Sequence, residues 1–199
     1  MTPSEFASEL AAATAERPLV LTLDTNAVFG KKLIRLMEQI NRWGVVVDRV
    51  GAIRVRLNPL VFVERNVHER RVQLEKKKEF EPRKVREWLQ SKDIEVPPFD
   101  LETADRASAT LVTWHATKDD WKSAKWERVC ELYGGTSAAT SPPGRQISAT
   151  VDWFIAAAIE RDAVLVTDDT GVEFKKVERR VTYAVARDAF QLPSTSKGI

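Results

Sequence analysis

Four acids, Asp24, Glu64, Asp152 and Asp169, stand where secondary structure would deliver them to one pocket. Asp24 follows the apolar run Leu19-Val20-Leu21-Thr22-Leu23, and Asp169 comes just after Ala163-Val164-Leu165-Val166-Thr167. Short apolar runs of this kind read as buried strands, and open α/β sheets gather ligands outside the carboxyl ends of their strands. Glu64 and Asp152 fall within helical patterns. A donor set made only of hard oxygens suits Mg²⁺ or Mn²⁺ rather than zinc, which favours His and Cys. Cations held by carboxylates fix a phosphate, lower the pKa of an attacking water and stabilise a leaving oxygen, so the chemistry indicated is phosphodiester hydrolysis. Taken singly, each acid has a plainer reading. Asp24 or Asp169 would cap a turn, Glu64 would sit on a solvated helix face, and Asp152 would favour the amino-terminal end of a helix dipole.

The elements that must position these acids alternate between helix and strand. Phe6 and Leu10 predict a leading helix over 3–16, with Ser4 as its cap and Pro18 as its stop. After the strand over 19–23, Leu33, Ile34, Leu36, Met37, Ile40 and Trp43 mark an amphipathic helix. A second strand covers 53–57. Asn58-Pro59 then reads as N-cap and first helical residue of a long helix that carries Glu64 toward Phe80, and Pro82 opens another. A third strand at 94–96, a helix from 101 to 113, a helix over 150–159, a strand over 163–166 and an edge strand over 181–184 complete the pattern. Such alternation predicts a three-layer α/β/α fold with a mostly parallel central sheet, plus an N-terminal helix and a helical insertion.

With 199 residues, 43% hydrophobic and 30% charged, the chain suffices for one sizeable core, and 1–199 reads as a single domain. Residues 1–17 form its leading helix, and 113–146 a Trp-rich insertion with a loop whose Gly, Ser, Thr and Pro predict mobility. The net charge of +2 means that any affinity for nucleic acid must come from local clustering. Residues 65–86 supply a cluster, with nine Lys/Arg against four Glu. It reads equally as a solvated helix with Glu/Lys pairs or as a patch facing a substrate. The lone Cys130 cannot form an internal disulfide and reads as a small core residue. No basic leader and no membrane-length apolar run are apparent, so the expectation is a cytoplasmic protein with no membrane partner.

Two further groups have competing readings. Glu64, His68 and Arg71 share a helical stripe, which would let His68 and Arg71 approach a phosphate, although surface positions on a charged helix are the simpler expectation. Trp114, Trp121 and Trp126, interleaved with lysines, could stack single-stranded bases. Their spacing only partly fits one helix face, so they read first as core or partner contacts, as does Trp153.

Taken in order, these residues resemble the PIN-domain family of metal-dependent ribonucleases, which includes the toxins of bacterial VapBC toxin–antitoxin pairs. Leu23-Asp24-Thr25-Asn26 resembles the opening motif and Glu64 the acid of the second major helix. Ile147-Ser148-Ala149-Thr150-Val151-Asp152 resembles the third motif, and Val166-Thr167-Asp168-Asp169 the closing one, in which Thr167 and Asp169 match the functional positions and Asp168 a variable one. The resemblance implies a PIN-like fold with Asp24, Glu64, Asp152 and Asp169 as catalytic acids. Asp24 and Asp152 would bind Mg²⁺ or Mn²⁺ most directly, and Thr25, Asn26 and Thr167 would orient carboxylates and water.

The implied activity is endoribonucleolytic hydrolysis of RNA by water, in the toxin of a toxin–antitoxin pair, with an antitoxin protein and a second copy of the chain as further partners. The leading helix, the basic helix and the Trp-rich insertion depart from a compact toxin and leave open an RNA-binding or regulatory module with little turnover, or an RNA-processing or DNA nuclease. An aspartyl phosphohydrolase of the haloacid dehalogenase type also opens with Asp after a strand, but needs a second Asp two residues on, where Asn26 stands.

Overall fold

A computed structural model of the chain describes residues 1–124 and 151–191. Its five strands are β1 (Leu19–Leu23), β2 (Ile53–Leu57), β3 (Ile94–Glu95), β4 (Val164–Val166) and β5 (Arg180–Val181). They form one sheet in the order β3-β2-β1-β4-β5, and every pairing is parallel. Leu19 to Leu23 pair in step with Ile53 to Leu57, while Leu21 to Leu23 pair on the other side with Val164 to Val166. Every residue of β1 and β4 is buried, as a parallel sheet covered by helices on both faces requires.

The chain order reverses at β1. It builds outward through β2 and β3, then returns to place β4 on the opposite side. The order therefore switches direction between β1 and β4, and doubly wound sheets bind ligands at the carboxyl ends of strands at such a point. Asp24 and Thr167 directly follow those two ends.

Helix α1 (Pro3–Ala12) opens with a capping box, in which the Glu5 amide donates to Thr2 Oγ1 at 3.2 Å and the Thr2 amide to Glu5 Oε2 at 2.6 Å. The cap is thus Thr2, not Ser4, and the helix ends at Ala12, well before Pro18. Phe6 is fully buried and meets Phe190 edge-on at 6.4 Å, and Phe190 in turn meets Trp43 at 5.6 Å. Arg49 donates to the carbonyls of Leu10, Ala11 and Ala13 at the helix end, and Arg179 grips Glu9 with two bonds of 2.7 Å. The leading helix is part of the core and not an appendage.

A four-residue helix, α2 (Thr25–Val28), follows β1 directly and was not expected. Next comes α3 (Lys32–Val46), which buries Leu33, Leu36, Met37, Ile40 and Trp43 of the expected stripe but leaves Ile34 exposed, since it lies off that face. In α4 (Pro59–Glu75) Asn58 caps as anticipated, accepting from the Leu60 amide at 2.9 Å, but the helix stops at Glu75 short of Phe80. Helices α5 (Pro82–Ser91) and α6 (Leu101–Trp114) begin where their proline and Asp100 cap place them. Helical stretches α7 (118–124) and α8 (151–157) flank the undescribed segment. Trp126, Cys130, the loop at 134–145 and residues 147–150 of the third motif lie outside the described residues.

After β4 come α9 (Val172–Lys175) and α10 (Tyr183–Ala189). The expected strand over 181–184 is corrected here. Only Arg180 and Val181 pair with β4, because Thr182 accepts from the Val185 amide at 3.2 Å and caps α10. Ala107 with Ala157 and Ala158 forms a small second cluster beneath α6 and α8. Among the described residues no helix is long and apolar enough to cross a membrane.

Candidate functional site

The carboxylate of Asp24 is the centre of a hydrogen-bonded knot. Asp24 is only 4% exposed, and although it occupies the N-cap position of α2, its side chain makes no capping hydrogen bond. Instead, Asn26 Nδ2 and the Thr167 hydroxyl both donate to Oδ2 at 2.8 Å. The plain reading of Asp24 as a turn cap therefore fails. Its carboxylate is held by side chains from two separate strand ends.

Those two holders are themselves held. Thr167 Oγ1 spends its one proton on Asp24 and accepts from the Asp169 amide at 2.9 Å and from Asn26 Nδ2 at 3.3 Å, which uses the full capacity of a hydroxyl. Asn26 Oδ1 accepts from the Asp168 amide at 2.9 Å. With Nδ2 on Asp24 and Oδ1 on Asp168, the orientation of the Asn26 amide is fixed from both sides.

Thr25 points elsewhere, its hydroxyl donating to Glu64 Oε2 and bridging α2 to α4. Glu64 is half-buried, not on a solvated face. Asp169 is also half-buried, and its Oδ1 accepts from the Gly171 amide at 2.7 Å in the local turn that the plain reading anticipated. This bond fixes the carboxylate.

Electrostatics ties three of the acids together. Burial pushes the Asp24 carboxyl up to about 6, the Thr167 hydrogen bond opposes the rise, and the negative charges of Asp169 and Glu64 add to it. Asp152 is half-buried on α8, in the stretch that leads into β4. Among the described residues, no three carboxylate, imidazole or thiol groups are drawn together closely enough to hold a metal ion.

Comparison of the chain with protein-family models, with curated proteins and with solved structures gives no match. The likeness to PIN domains therefore rests on the sequence motifs alone.

Several residues around the knot were invisible to sequence reasoning. Asp168, at a position the motif leaves variable, takes Lys32 Nζ at 2.8 Å on Oδ2 and the Tyr183 amide at 2.9 Å on Oδ1. Lys32 also donates to the Asn26 carbonyl at 3.1 Å, and the Tyr183 hydroxyl donates to the Lys32 carbonyl at 2.9 Å. Glu173 in α9 is a further, fully buried acid. No local pattern marks Asp168, because Lys32 and Asn26 lie far away in the chain.

The aromatic residues with competing readings make ring contacts where they fall on described residues. His68 packs edge-on against Phe29 at 5.0 Å, the contact of a surface helix residue. Trp114, His115 and Trp121 gather around the fully buried Trp153, with ring centres at 6.0, 4.5 and 5.9 Å. These tryptophans pack on one another as core contacts. Burial and the charge of Lys176 hold the His115 imidazole below its ordinary range.

Proposed function

We propose that this protein is a metal-dependent endoribonuclease with a PIN-like fold, acting as the toxin of a toxin–antitoxin pair. The observation that carries the reading is the buried Asp24 carboxylate at the sheet's switch point, raised to about 6 with the charges of Asp169 and Glu64 contributing. Acids that repel one another in a cleft gain stability from a divalent cation, and an all-carboxylate set fits Mg²⁺ or Mn²⁺ in donor chemistry. Asp24 and Asp152 would hold the ion, with Glu64 and Asp169 tuning the charge around it. Bound there, the cation would polarise a scissile phosphodiester and acidify an attacking water.

The chain's own residues would do the rest. Asn26 and Thr167 both donate to Asp24 Oδ2 and so fix the orientation of its carboxylate. Thr25 sets Glu64. Because water would be the nucleophile, no covalent intermediate on Asp24 is required. Asn26, two residues after Asp24, is tied up by its three hydrogen bonds and cannot serve as the second acid of an aspartyl phosphohydrolase.

The test is incubation of the purified protein with end-labelled tRNA, ribosomal RNA and single-stranded DNA, in Mg²⁺, Mn²⁺ or chelator, beside Asp152→Asn. Discrete metal-dependent cuts in RNA, lost in the variant, are expected. Cuts confined to DNA would remove the ribonuclease reading, and intact substrate from folded protein would favour a binding module. The toxin role is tested separately, by growth arrest on induced expression and rescue by the product of a small neighbouring gene.

A further inference from the structure

Charge on this chain is segregated. Residues 65–86 carry nine Lys/Arg against four Glu, a local +5, so the remaining 177 residues together carry −3 of the overall +2. Helix α4 contains the transition within itself, since Glu64 meets the Thr25 hydroxyl at the acid cluster and the basic run starts at Arg65.

A self-neutralised helix face would pair these cations with nearby glutamates. Two of the nine do so, Arg83 with Glu87 and Lys84 with Glu81. Half-buried Arg65, which also feels the charge of Glu69, and exposed Arg70 lie over the rings of Trp88 and Phe80, at 5.0 and 4.2 Å, which holds the guanidinium groups in place. Arg71, Lys76, Lys77, Lys78 and Arg86 are exposed and make no ion pair among the described residues.

The turn after α4 adds an independent observation. Lys77 has φ of 54°, the left-handed backbone that favours Gly or Asn just beyond a helix. A lysine stands there at a cost to the fold, flanked by two more. Favourable interaction with the helix dipole accounts for a cation near the cap, but not for three in succession on a strained turn.

We infer that residues 65–86 form a basic arm that binds the phosphate backbone of a nucleic acid and leads it to the acid cluster. The inference deepens the nuclease reading, which supplies only the choice of RNA as the probe. An arm made mostly of unpaired Lys and Arg grips phosphates without reading bases, so binding is expected to depend steeply on salt and weakly on sequence.

The experiment measures binding of a fluorescent single-stranded RNA to the full chain in chelator, as a function of KCl, for wild type, Lys76→Ala/Lys77→Ala/Lys78→Ala and Lys77→Gly. Loss of three phosphate contacts lowers the slope of log affinity against log salt by about 2 and weakens binding at moderate salt by about tenfold. Lys77→Gly is expected to raise the unfolding midpoint while weakening binding, a combination that a purely structural turn would not give. Unchanged affinity and slope in a folded triple variant would overturn the inference, and so would polyglutamate of equal length binding as tightly as RNA, which marks an acidic protein partner. The same preparations are assayed for cleavage with Mn²⁺. Cleavage with an unaltered salt slope discards the arm alone, while arm-dependent binding without cleavage discards the nuclease alone.

Discussion

The Asp168 amide donates to Asn26 Oδ1 at 2.9 Å across 142 positions of sequence, and the Asp168 carboxylate holds Lys32 and the Tyr183 amide. Asp168 thus fastens α10 and α3 to the residue that orients Asp24. Its replacement by Ala is expected to lower stability by about 1–2 kcal/mol, chiefly through the unsatisfied Tyr183 amide. Lys32→Ala should cost less than about 1 kcal/mol, since both partners of that ion pair are well exposed. Urea unfolding of the two variants checks the order, and a larger loss for Lys32→Ala would show that the amide contact is not the dominant one.

Protonation of Asp24 should shape the stability profile of the metal-free protein. Its folded value of about 6 lies above the ordinary 3.8, so its contribution to stability is fully present below about 3.8 and is lost as pH rises through 6. Asp24→Asn removes this dependence. In chelator at about pH 8 the variant should match or exceed wild type, by up to about 3 kcal/mol, and the advantage should vanish at about pH 4. Parallel pH profiles for the two proteins would contradict the shift.

Metal should reverse that burden. At about 100 times its dissociation constant, Mn²⁺ stabilises the folded state by about 2.7 kcal/mol, or roughly 5–10 °C in Tm for a chain of this size. Differential scanning fluorimetry should show the rise in wild type and a much smaller one in Asp24→Asn. Equal rises in both would place the ion elsewhere.

The leading helix gives a prediction about the fold. Phe6 is fully buried against Phe190, so Phe6→Ala should destabilise by about 3–5 kcal/mol, as for large core truncations. An effect below about 1 kcal/mol in denaturant titration would mean that α1 is not integral to the core.

The boundaries of β1 and β2 and the Asn58 cap were legible because each is written locally, in a run of apolar residues or in an Asn-Pro pair. The 181–184 strand was misjudged for an equally local reason. Val181, Thr182 and Tyr183 favour strands, but the Thr182 hydroxyl is used as a cap once Val181 has joined the sheet. Helix α2 was missed because four residues contain too little periodicity to register. The motif resemblance pointed to Asn26 and Thr167 as residues that orient a carboxylate, while the pairing of each with its partners, and the part of Asp168, could not be read. Periodicity reveals which face is apolar but is silent on which polar groups meet across more than a hundred residues, as Asn26 meets Asp168 and Thr167 meets Asp24.

The most direct test of the proposed chemistry is single-turnover cleavage of RNA in Mn²⁺ by wild type and by Asp24→Asn, with circular dichroism confirming that both are folded. Discrete cleavage by wild type, abolished by chelator and reduced at least about 100-fold in the variant, is the expected result for loss of a carboxylate that holds the ion. Cleavage by Asp24→Asn at the wild-type rate, or by wild type in chelator, would contradict it.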